Sequence, residues 1–266
     1  MRVTFLGTGG AVPTTQRNTS ALAIRREGER FLFDCGEGTQ RQMMRFDTGF
    51  GVDHVFVTHC HGDHVLGLPG LVQTMDFNGR DDPLAVHAPG GTRSAVADLL
   101  SVASTDPAFP VRVTQNAPGD TVLGIPPGPK YSKLHAGEPV EHDGRTIEPG
   151  EVVGPPRPGR RVVYTGDTRP TEAVVAAADG ADLLVHDATF ADDWADRARE
   201  TGHSTAREAA TVAREAGAKR LALTHVSTRY AGDPSPLVDQ AREVFDGELR
   251  LPDDGDHVEV PFPDDG

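Results

Sequence analysis

An α/β fold is predicted by two features of the chain. Apolar or β-branched runs of strand length recur along it and stop abruptly at a His or an Asp, and helical patterns lie between them. Phe31–Phe33 ends at Asp34, His54–Thr58 at His59, Arg161–Thr165 at Gly166-Asp167, Asp182–Val185 at His186, and Arg220–Thr224 at His225. One such ending carries no information. Five predict that strand ends gather polar side chains at a shared edge, where rigid elements position a site better than loops do. Strands interleaved with helices imply sheets covered by helices.

The elements follow in order. Met1-Arg-Val-Thr-Phe-Leu-Gly7 runs directly into a strand-like pattern with no signal-peptide core, so a cytoplasmic protein is expected. Helices are expected over Glu37–Phe46, Leu71–Phe77, Thr92–Val102 and Glu172–Ala178. The clearest begins at Thr205-Ala-Arg-Glu208, a capping-box pattern, with Ala206, Ala209, Ala210, Ala213 and Ala216 on one face and Gly217 as the stop. Residues 124–159 are rich in Pro and Gly and read as a long loop or protruding arm inserted in a single domain of residues 1–266. The tail after Leu251 reads as frayed. No repeat of fixed period is present.

Hydrophobic residues make up 37 % and charged residues 25 %, enough for a core and too apolar for disorder. No apolar stretch is long enough to span a membrane. The formal net charge is −14, and only Lys130, Lys133 and Lys219 of the 26 basic residues are lysines. An acidic, lysine-poor chain suits concentrated salt, where surface repulsion is screened within a few ångströms, so a halophilic source is expected. Net charge then says little about nucleic-acid partners, and local charge must decide. Between Gly124 and Arg161 the acidic excess disappears, with six basic against five acidic residues. Two cysteines, Cys35 and Cys60, are too few for a disulfide framework and suit a reducing compartment.

The chemistry is concentrated in Thr58-His-Cys-His-Gly-Asp-His64. Three His and one Asp within six residues exceed what a core or a solvated face requires, and imidazole and carboxylate are ligands suited to Zn²⁺. The spacing is too tight for one tetrahedral ion. It suits two neighbouring ions, with His59 and His61 on one and Asp63 and His64 on the other, roughly 3.5–4 Å apart as in two-metal phosphoryl-transfer sites.

This segment is the signature of the metallo-β-lactamase superfamily, and further motifs resemble the ribonuclease Z family. They are Phe5-Leu-Gly-Thr-Gly9, Phe33-Asp-Cys-Gly-Glu-Gly-Thr-Gln40, Gly67-Leu-Pro-Gly-Leu71, Tyr164-Thr-Gly-Asp-Thr168, His186-Asp-Ala-Thr-Phe190, Gly202-His-Ser-Thr205 and Leu223-Thr-His-Val-Ser227 with Arg229-Tyr230. They occur in family order over nearly the whole chain. The resemblance implies an αββα sandwich, two facing mixed sheets with helices outside. It also implies a zinc-dependent endonuclease that removes the 3′ trailer from precursor tRNA and commonly forms a homodimer. It makes Asp167 a metal-bridging carboxylate, His225 a ligand of the second zinc, and Asp63 both ligand and proton acceptor. His203 falls where the family assists departure of the 3′ oxygen, paired with Asp187, one methylene shorter than the family's Glu. Asp34 falls where a carboxylate orients ligand histidines, and a simple turn carboxylate is the competing reading. Gly124-Ile-Pro-Pro-Gly-Pro-Lys-Tyr131 is similar to the family's tRNA-gripping arm, which makes Lys130, Tyr131 and Lys133 substrate contacts. His54, His87, His186 and His257 are expected to be structural or exposed, and Cys60 to point away from the metals.

One departure stands out. The family carries a further His ligand in a Thr-Asp-His stretch and then a Ser-x-Gly-Tyr strand, and here Pro118-Gly-Asp-Thr-Val-Leu123 runs straight into the arm. The chain lacks the segment holding that ligand and two strands, so the first zinc site is expected to be weakened and a sheet edge exposed. His135 and His142, inside the arm, are expected to be exposed arm residues, and are the available substitutes for the missing ligand. A different hydrolase of the same fold, or a catalytically impaired tRNA-binding variant, are the competing functions.

Overall fold

The computed structural model describes residues 1–102, 106–115, 140–142, 145–147 and 159–262. Chain contacts divide it into two units, Met1–Pro118 with Arg161–Pro261, and Gly119–Arg160 with Phe262–Gly266. The first unit holds two sheets. β1 (Arg2–Gly7), β2 (Ala21–Arg26), β3 (Glu29–Phe33), β4 (His54–Phe56), β5 (Leu84–Ala88), β6 (Val111–Gln115) and β13 (His257–Glu259) form a mixed sheet in the order β13-β1-β2-β3-β4-β5-β6. β9 (Val162–Tyr164), β10 (Leu183–Asp187), β11 (Arg220–Thr224) and β12 (Glu248–Arg250) form the second, whose four described strands run parallel. In the second unit β7 (Val140–His142) pairs with β8 (Arg145–Ile147) as a two-stranded hairpin.

Helices cover the outer face of each sheet. α1 (Thr39–Arg45), α3 (Leu68–Phe77) and α4 (Arg93–Ser101) bury Met43, Leu68, Leu71, Met75 and Val96 against Leu6, Leu32, Val55 and Val86. α5 (Glu172–Ala177), α7 (Ala206–Glu215) and α8 (Ser235–Arg242) pack on Leu184, Leu221 and Leu223, while α6 (Ala195–Thr201) precedes the turn into α7. α7 starts where expected because both capping-box bonds form between Thr205 and Glu208, and its alanine face lets the helix lie close to the sheet. Buried residues of the opposite register, Val3, Phe5, Leu22, Ile24 and Phe31 from one sheet and Leu183, Val185 and Ala222 from the other, fill the layer between the sheets. The arrangement is the expected αββα sandwich.

Two expectations change. The tail after Leu251 is ordered through residue 262: β13 pairs antiparallel with β1, and the Asp254 carboxylate accepts hydrogen bonds from Thr8, Asn18 and Gln42. Its acidic, Pro- and Gly-rich composition conceals a strand with only Val258 and Val260 as buried alternating residues. β10 also continues past Val185 through His186 to Asp187, because His186 is fully buried within the sheet. Among the described residues, β6 and β9 are outer strands of their sheets, and in the chain both border the stretch between Gln115 and Val162.

Candidate metal centre

Parallel strands deliver their carboxyl ends to one edge, and there the chain turns polar. β3 ends at Asp34, β4 leads into Thr58 and His59, β9 leads into Asp167, β10 ends on Asp187, and β11 leads into His225. His61 caps the short helix α2 (Gly62–Val65), which carries Asp63 and His64. Asp34 and His225 adopt left-handed backbone conformations, φ 58° and 61°, unusual for residues with a Cβ and concentrated at functional sites. Gly10 lies so close to the His225 ring that a Cβ there would come within 2.5 Å of it, so only glycine lets the β1 loop close over this edge.

Asp167 stands at the centre. Its Oδ1 is 3.1 Å from His64 Nε2 and 3.2 Å from His225 Nε2, while its Oδ2 is 3.4 Å from His59 Nε2. Asp63 Oδ2 completes the first set, 3.2 Å from His225 Nε2 and 3.7 Å from His64 Nε2. His61 completes the second, its Nδ1 2.9 Å from His59 Nε2. Potential ligand atoms of His59, His61 and Asp167 fall in one compact group, and those of Asp63, His64 and His225 in another.

A hydrogen-bond chain behind these side chains aims the imidazoles. His64 Nδ1 lies 2.8 Å from Asp34 Oδ2, so it donates there and leaves Nε2 facing Asp167. His225 Nδ1 meets Thr189 Oγ1 at 2.9 Å, and that hydroxyl donates to Asp187. His59 Nδ1 meets Thr58 Oγ1 at 3.1 Å, and that hydroxyl reaches Asp34. Asp34, fully buried, also accepts from the Thr58 N–H and the Tyr164 hydroxyl, so it orients the His64 and His59 side chains and is no mere turn carboxylate. His203 Nδ1 lies 2.8 Å from Asp187 Oδ2, so the shorter acid spans the gap.

His64 Nε2 and Asp167 Oδ1 are both buried and have no hydrogen-bond partner, although they face each other. Two lone pairs so placed call for a cation between them, and the nitrogen and oxygen donors fit zinc. Burial opposes charge on His64, but Asp167 and Asp34 outweigh it and raise the imidazole to about 10. Burial also disfavours ionised Asp63 and Asp167, yet the neighbouring imidazoles hold both carboxyls well below the usual range.

The other residues fall as follows. Cys60 is exposed, and burial pushes the Cys35 thiol up to about 12, leaving it inert. His186 donates from Nδ1 to the Asp187 carbonyl, and His54 and His87 stack beside Phe56 on the sheet. Lys130, Tyr131, Lys133 and His135 lie outside the described residues; His142 is described only as part of β7. Sequence reasoning missed the Ala11 N–H, which donates to Asp63 Oδ2 at 2.7 Å, because a backbone donor leaves no residue-type signal. It also missed Arg169, which pairs with Glu208 and bonds the His203 carbonyl, tying the loop after Asp167 to the His203 turn.

Residues 29–226 match the beta-lactamase superfamily domain, which defines the class of the fold. Ribonuclease Z of Halorubrum lacusprofundi and that of Haloarcula marismortui are each 57 % identical to this chain, covering 99 % of it and 98 % of the relative. The crystal structure of the human tRNase Z short form superposes with a TM-score of 0.72 at 30 % identity, over 98 % of this chain and 100 % of that one. The chain belongs to the ribonuclease Z family. The alignments with both relatives extend over 305 positions against 266 residues here, so at least 39 positions are filled by the relative alone.

Proposed function

We propose that this chain is a zinc-dependent endoribonuclease that cuts precursor tRNA at its 3′ end, removing the trailer and leaving a 3′-hydroxyl on the tRNA. The observation that carries this reading is Asp167, whose two oxygens face two separate imidazole sets beside the His203–Asp187 pair. His59, His61 and Asp167 would hold one ion, and Asp63, His64, Asp167 and His225 the other. Zinc bound there supplies the nucleophile, by lowering the pKa of water from 15.7 towards about 7.

Asp63 accepts a proton from the attacking water, with the Ala11 N–H fixing its Oδ2. Asp187 receives the Nδ1–H of His203 and stabilises the imidazolium. His203 then gives its Nε2 proton to the departing 3′ oxygen as the phosphorus–oxygen bond breaks, and the trailer keeps the phosphate. Thr168 and Thr189 hold Asp187 through their N–H groups, so this pair needs no rearrangement.

The same reading makes Lys130, Tyr131 and Lys133 contacts to the tRNA body, and residues 124–159 an arm inserted in the single domain. An acidic body then binds RNA through a local arm and a cleft. A homodimer in the cytoplasm of a halophile belongs to the same reading; among the described residues no helix is long and apolar enough to cross a membrane. A second reading, a one-metal protein that binds tRNA and cleaves it slowly, is favoured by the meagre His59–His61 set. Incubating the protein with a 3′-extended precursor tRNA and excess Zn²⁺ or Mn²⁺, with binding of the same RNA measured alongside, tests both. Cleavage after the last tRNA nucleotide is expected. Binding with only slow or no cleavage leaves the second reading, that of a catalytically impaired tRNA-binding variant, and absence of both refutes the assignment.

A further inference from the structure

The chain has one tryptophan, and it stands at the rim of this site. Trp194 closes a 3₁₀ turn (Asp192–Trp194) and is 38 % exposed. The exposed Arg229 guanidinium lies over its ring, 4.2 Å from the centroid, and 5.9 Å from the Phe190 centroid. Phe190, buried, meets His203 edge-on at 6.2 Å. Phe190 thus packs between the His203 imidazole and the Arg229 guanidinium, and the exposed surface at this rim is made by Arg229 and Trp194. Its parts are fixed: the Ala191 N–H donates to the Tyr230 hydroxyl at 2.8 Å, and the Asp192 N–H to Gln240.

Arg229 has no ion-pair partner among the described residues, although the chain carries 40 acidic side chains. Phosphate binding alone accounts poorly for this surface, because Asp192 and Asp193 flank the indole. Asp192 is neutralised by Arg207 at 2.6 Å, and Asp193 is not paired in that way. A flat π-face topped by a guanidinium suits the face of a nucleobase, a contact that tolerates salt better than a charge pair does.

We infer that Trp194 and Arg229 form a stacking platform for the base of the nucleotide whose 3′ oxygen leaves. The inference rests on the function proposed above, in which His203 faces that oxygen, and it adds a specificity-determining contact on the tRNA side of the scissile bond.

The single indole makes the test direct. Intrinsic fluorescence is titrated with a 3′-extended precursor tRNA and with the same RNA made abasic at its last tRNA nucleotide, in zinc-containing buffer. The intact RNA is expected to quench the indole strongly and the abasic RNA to quench it less than half as much. Trp194→Ala and Arg229→Ala, assayed by filter binding, should weaken binding of the intact RNA by about 10-fold or more and leave the abasic RNA within about twofold. Trp194→Phe, which keeps a ring, should restore most of the affinity. Equal quenching by the two RNAs, or equal losses for both, would overturn the platform while leaving the nuclease reading intact. A wild-type protein that neither binds nor cuts the precursor would overturn both.

Discussion

The two halves of the candidate metal centre share Asp167 and a bracing carboxylate, Asp34, and differ in burial and in how their remaining donors are held. On one side His64 and His225 are buried, Asp63 is nearly so, and each His is aimed through its second nitrogen by Asp34 directly or by Asp187 through Thr189. On the other side His61 is exposed, and its Nδ1 spends its contact on His59 Nε2, the atom that faces Asp167. The first half is built from the ends of rigid strands and a helix, with its donors desolvated and oriented before any ion arrives. The second braces His59 through Thr58 but leaves His61 at a solvent-facing turn. Ligand count alone would rank the halves four to three; orientation and burial widen that gap, because losing oriented support typically costs about 10–100-fold in metal affinity or activity.

The comparison breaks most sharply at Asp63. Asp63→Ala removes a ligand of the stronger half together with the proton acceptor, so cleavage should fall by about 10⁴-fold or more while RNA binding, measured by filter retention, stays within a few-fold. Residual cleavage near the wild-type rate would show that the buried half is not where the chemistry happens. His203→Ala should lower kcat by about 10²-fold with zinc content unchanged, as a leaving-group role requires. Loss of zinc in that variant would make His203 a ligand and redraw the boundary between the halves. The smallest effect is expected for the proposed arm: Lys130→Glu with Lys133→Glu should raise KM several-fold and leave kcat nearly unchanged, because such an arm binds ground and transition states alike. An unchanged KM would remove the arm from the account.

Much of this was legible in the sequence, and the limits have physical causes. The five strand endings show because a buried strand must be apolar and a ligand must be polar, so the switch between them is abrupt. The ligands in the 59–64 run declare themselves by residue type and spacing. Asp167 and His225 needed the family resemblance, since a single Asp or His after a strand carries no spacing signal. The bracing was hidden further. Thr58, Thr189 and Tyr164 look like ordinary strand-end residues until the fold sets them against Asp34 and Asp187, and the Ala11 N–H is invisible to any reading of side chains. The ordered tail was missed for the opposite reason: β13 is held by backbone pairing to β1 while most of its neighbours are acidic.

One half of this centre is expected to hold its ion tightly and the other to lose it. Zinc content per chain, measured by elemental analysis after zinc loading and exhaustive dialysis against metal-free buffer, tests it most directly. About one zinc per chain should persist, with the second lost and cleavage restored by adding zinc in excess. Two zinc ions per chain surviving the dialysis would contradict the account, and would mean that a further residue completes the half formed by His59, His61 and Asp167.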